Sequence, residues 1–98
     1  MLKIPDSHLV KSLEKELHDV WSFEANAEKL MKEMSSSSDE QQLVSMARAL
    51  AFNKRHIERH LARAEAMLQL AGFEIEDGEL TPSMLEFRVI TYGDIAED

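Results

Sequence analysis

Val10, Leu13, Leu17 and Val20 step by three and four residues through a stretch, Asp6 to Met34, that holds neither glycine nor proline. Such spacing returns to one side of an α-helix at every step, and nothing in the stretch interrupts it. Pro5 followed by Asp6 or Ser7 offers a start, because proline suits a first helical turn and short polar side chains cap its free amides. The stripe continues through Glu24, Ala27, Met31 and Met34, a heptad seam flawed once by a charge. Serines at 35–38 then favour a turn, and Ser38 with Gln41 has the form of a capping box for a second helix.

That second helix is expected over about residues 39–71, with a stripe of Leu43, Ala47, Leu50, Lys54, Ile57, Leu61, Ala64, Leu68 and Ala71, flawed once at Lys54. Antiparallel pairing that sets Met34 against Leu43 also aligns Ala27 with Leu50, Leu17 with Leu61 and Val10 with Leu68, and it puts Glu24 opposite Lys54. The two charged breaks then meet, as a register-selecting ion pair would. A tighter turn would instead align His18 with His56. Gly72 fits a left-handed helix stop, after which the period changes to two. Phe73 and Ile75 alternate with acids, "EDG" at 76–78 offers a turn, and Leu85, Phe87, Val89 and Thr91 alternate with Met84, Glu86, Arg88, Ile90 and Tyr92. A short β element is expected there, with a frayed end beyond it. The organisation read from these signals is a helical hairpin over 1–71 and a small acidic β-containing appendage over 72–98.

A chain of 98 residues buries a modest fraction of its unfolded surface, so self-association would help it. Trp21, Phe23, Met46 and Phe52 widen the apolar face beyond what one hairpin covers. The expected fold is therefore mainly α: an antiparallel helical hairpin forming a homodimeric four-helix bundle, with a short C-terminal β segment. Its core would comprise Leu13, Leu17, Val20, Trp21, Ala27, Leu50, Ile57, Leu61 and Leu68.

Of the net charge of −8, residues 72–98 carry most, with eight acids set against Arg88 alone. Phosphate binding needs clustered Lys and Arg, so this end would repel nucleic acid and attract a basic protein surface. No cysteine is present, which excludes disulfides and thiolate metal sites. Charges every few residues through the first twenty leave neither a signal-peptide core nor a membrane span, and the expected setting is cytoplasmic.

His56 and His60 lie four apart on one helical face and could share a metal ion with His18 or Glu14. "HIERH" lacks the glutamate directly after the first histidine that zinc proteases use, and no Glu-x-x-His step of the carboxylate-bundle kind occurs at Glu14 or Glu58. The favoured reading is a polar helix side in which Arg55, Arg59, Arg63, His56 and His60 face Glu14, Glu16 and Asp19, with no metal and no cofactor. No nucleophile triad, glycine-rich phosphate loop or carboxylate pair can be assembled, so no enzyme is expected.

"LHDVWSFEANAEKL" (17–30), the serine loop, "AMLQLAGFEIEDG" (66–78) and "LTPSMLEFRVI" (80–90) together resemble part of the GrpE family of nucleotide exchange factors for DnaK-type chaperones. In that family a striped helix, a polar loop and a second helix ending in a Leu-x-x-x-Gly-(Val/Phe)-Glu step precede a β segment. Thr81-Pro82 stands where the family favours Asp-Pro. The resemblance implies dimerisation through the helices and a partner-facing segment at Leu80, Pro82, Met84 and Glu86. The family's longer paired helix and larger β domain have no counterpart in these residues, which puts exchange activity in doubt. The function expected is a non-enzymatic adaptor or co-chaperone-like module, binding a chaperone-type or basic partner through its C-terminal segment. A metal-binding bundle using His56 and His60 and an acidic nucleic-acid mimic are the alternatives.

Overall fold

A computed structural model describes residues 7–97, and it is mainly helical. Helix α1 spans Ser7–Ser36, α2 spans Glu40–Leu70 and α3 spans Pro82–Glu97. The expectations placed on Pro5 and Asp6 lie outside the described residues.

Asp39, one residue beyond the expected serine cap, starts α2: its carboxylate accepts from the amides of Gln41 at 2.9 Å and Gln42 at 3.4 Å. A carboxylate there satisfies amides that have no intrahelical partner and meets the positive end of the helix dipole. Gly72 ends α2 as its sequence position suggests, with φ of 95°. Its amide donates to the Gln69 carbonyl and that of Phe73 to the Leu68 carbonyl, the two bonds of a Schellman stop.

α1 and α2 pack in opposite directions, as the contacts of Glu16 with Arg63 and of Phe23 with His56 require. Near the chain ends of this pair lies a single apolar cluster of Val10, Leu13, Leu17, Ala64, Leu68, Leu80, Leu85 and Val89, with Leu61, Phe73 and Ile75 packed against it. Residues after Gly72 thus share the core of α1 and α2, whereas the sequence suggested an appendage.

The expected β segment is helical, and no strand occurs among the described residues. Thr81 caps α3: its Oγ1 accepts from the Met84 amide at 3.2 Å and its carbonyl from the Leu85 amide at 3.0 Å. Pro82 follows at the first helical position, where its fixed φ is suited to the turn and its missing N–H costs nothing. Leu85 and Val89 alternate as strand residues would, but they are also four apart, and as one helical face both are buried. Phe87, their strand-face companion, is 64% exposed.

Candidate interaction surface

Full burial of apolar side chains stops abruptly along the helix pair. Val10, Leu13, Leu17 and Val20 on α1 and Ala64 and Leu68 on α2 are buried, yet between Trp21 and Arg63 no apolar side chain is. Phe23, Ala27, Leu30, Met34, Leu43, Met46, Leu50 and Ile57 are only half-buried. This stretch forms a two-helix arm of a molecule that measures 56 × 24 × 16 Å. Two helices can cover only one side of each other's stripe, and Met31, Val44 and Phe52 stand about half exposed beside it.

The charged flaws do not sit in that seam. Glu24 and Lys54 are both exposed, and among the described residues no ion pair joins them, contrary to the register pair expected from sequence. Each is displaced by its neighbour. Phe23 takes the α1 position, its ring 4.7 Å from that of His56 and 5.8 Å from that of His60, both stacked. Asn53 takes the α2 position, buried, with its Nδ2 donating to the Ala49 carbonyl at 2.8 Å. Placing Phe23 inward removes apolar surface from water, whereas an inward Glu24 would lose its hydration.

Charge enters the interior at Glu16 instead. Its side chain is 2% exposed and reaches across to α2, Oε2 lying 2.6 Å from His60 Nδ1 and Oε1 forming an ion pair with Arg63 Nε at 3.2 Å. Asp19, one turn along α1, brings Oδ2 to 3.8 Å from the same His60 nitrogen. The sequence put these residues on facing polar sides but in solvent; the structure encloses Glu16 and most of His60. His56 takes no part in the ion pairs, its ring lying against Phe23 and, at 4.2 Å, Phe52. His18 is exposed, 4.0 Å from Asp19.

The other buried carboxylate positions α3. Glu65 accepts from the amides of Gly78 at 3.0 and 3.1 Å and of Leu80 at 3.2 Å, fixing the loop that delivers Thr81. Its partners lie thirteen and fifteen residues ahead, so no helical pattern signals it.

Of the expected partner-facing residues, Leu80 is buried in the core and unable to face a partner, and Pro82 is half-buried. Met84 and Glu86 are exposed on α3, beside Phe87 and Ile90. Between α1 and α3 runs a groove lined by Leu17, Trp21, Val89 and Ile90 and edged by Lys11, Lys15, Glu14 and Glu86. Of the expected bundle core, Leu13, Leu17, Val20 and Leu68 are buried, Ala27, Leu50, Ile57 and Leu61 half-buried, and Trp21 is 47% exposed. Among the described residues no helix is long and apolar enough to cross a membrane. No family model, curated protein or solved structure matches the chain.

Proposed function

We propose that this chain is a non-catalytic protein-binding module that pairs with a second copy through its two-helix arm, two hairpins closing into a four-helix bundle. The observation that carries the reading is the arm's half-buried seam, which one chain leaves open from Trp21 to Arg63. A second hairpin would enclose it; full burial of a Leu, Ile, Phe or Met side chain contributes roughly 1.5–3 kcal/mol, of which these half-buried side chains have about half still to gain. Charge supports a second copy as the occupant. Residues 21–56 hold five acids, Glu24, Glu28, Glu33, Asp39 and Glu40, and five bases, Lys29, Lys32, Arg48, Lys54 and Arg55. The net charge of −8 therefore lies elsewhere, and two arms meet without repulsion.

The outward side of α3 would then hold the partner. Its exposed Met84, Phe87 and Ile90 sit in the acidic 72–98 segment, which suits a partner with an apolar patch ringed by Lys and Arg. This chemistry is favoured over the nucleotide-binding domain of a DnaK-type chaperone. The contact implied by the GrpE resemblance is made through β structure, and residues 82–97 are helical.

Light scattering tests the pairing. The expected mass is near twice 11.2 kDa. Met31→Asp and Val44→Asp alter side chains that are about half exposed in the single chain, so each should keep its helical circular dichroism while the mass falls to the monomer value. A parent protein that stays monomeric at micromolar concentration would overturn the reading.

A further inference from the structure

Glu16 and Asp19 converge on His60 Nδ1, and the three side chains together have the donor set and spacing of a metal site. We propose that Glu16 Oε2, an Asp19 carboxylate oxygen and His60 Nδ1 bind one divalent transition-metal ion of the Zn²⁺ type, with water at a fourth position. The three ligand atoms lie within 4.8 Å of one another. Two of the separations, 2.6 Å from Glu16 and 3.8 Å from Asp19 to His60 Nδ1, bracket the edge of about 3.4 Å of a tetrahedron with metal–ligand bonds near 2.1 Å.

Three further features fit a metal better than a solvated ion pair. Glu16 and Asp19 project from one α1 face at i,i+3, and His60 meets them from α2, so two packed helices hold the ligands rather than a loop. Arg63 forms an ion pair with Oε1 of Glu16, the oxygen that the ion does not use, and leaves Oε2 turned to His60, the place an outer partner of a metal carboxylate takes. The Phe23 ring stacks on His60 and restricts its orientation. Charge adds a fourth reason. Glu16 and Asp19 set two carboxylates against the one guanidinium of Arg63, an excess of acidic groups that favours a cation between them. Mixed imidazole and carboxylate donors select Zn²⁺, Ni²⁺ or Co²⁺ over Ca²⁺ or Mg²⁺, which require oxygen ligands in larger number.

The test titrates Zn²⁺ alone into chelator-treated full chain, following heat and unfolding temperature. Expected are one ion per chain and a raised unfolding temperature reversed by chelator. Asp19→Asn and His60→Gln should each weaken binding at least about tenfold, the loss seen when even an outer partner of a metal ligand is removed. Asp19 is 35% exposed, so its variant remains folded even where Glu16→Gln does not. His18→Gln and His56→Gln, which alter histidines outside the site, should leave the affinity unchanged. No heat and no stabilisation, binding indifferent to Asp19→Asn, or binding abolished by His18→Gln or His56→Gln would each overturn the site.

Discussion

Replacing Leu85 and Phe87 one at a time by alanine tests the helical reading of the C-terminal segment, on which the placement of the partner-facing side depends. In a strand the two lie on one face and their losses would be comparable. In α3 they differ fully: Leu85 has no exposed surface, whereas Phe87 is 64% exposed. A Leu→Ala change at an enclosed site costs about 2–5 kcal/mol, the lost transfer energy plus that of the cavity. For a domain of this size each kcal/mol lowers the unfolding temperature by roughly 4–8 °C, so a mid-range loss near 3 kcal/mol lowers it by about 12–24 °C. Phe87→Ala deletes a ring already mostly in water and replaces it with a better helix former, so its effect should stay within about 0.5 kcal/mol of zero. Thermal unfolding followed by circular dichroism, at one fixed protein concentration, measures both. Equal losses, or a harmless Leu85→Ala, would refute a helix that docks through Leu85 and Val89.

Two other substitutions examine the polar groups. Glu65→Ala strips the acceptor from the amides of Gly78 and Leu80 and should cost about 2–4 kcal/mol, with faster hydrogen exchange at Leu80; unchanged protection of that amide would remove Glu65's role in delivering α3. A double-mutant cycle of Glu24→Ala and Lys54→Ala should give no coupling, because both side chains are exposed; an interaction above about 0.5 kcal/mol would restore the ion pair that the sequence suggested.

Signals that are local in the chain were legible. A stripe stepping by three and four does specify a helix, and Gly72 ends one because its φ of 95° is a conformation that other residues adopt at a cost. The C-terminal segment misled for a physical reason. Leu85 and Val89 satisfy both a period of two and a helical i,i+4 step, and the deciding element was the cap, Thr81 followed by Pro82. Read as a helix start, those two residues assign α3.

The seam shows a different limit. Stepping four residues from Val20 selects Glu24, and stepping three selects Phe23; the pattern tolerates either, but the cost of burial does not. The pattern places polar side chains inward only at Glu24 and Lys54, yet those buried are Glu16, Asn53 and Glu65. The partners that make this affordable are distant for the two carboxylates, forty-four residues away for the Glu16–His60 contact, and no periodicity carries that information. The consequence reaches the pairing of the helices. A one-turn slip of α2 that carries Ala64 and Met67 into the places of His60 and Arg63 would leave an uncompensated carboxylate in the interior, a cost of several kcal/mol, whereas the opposite slip would bring His56 and Arg59 there. A slip between Glu24 and Lys54, both in water, would cost almost nothing. The enclosed carboxylate near the apolar core therefore resists a slip in one direction, and the arm beyond it carries no buried ion pair and keeps its seam half-buried.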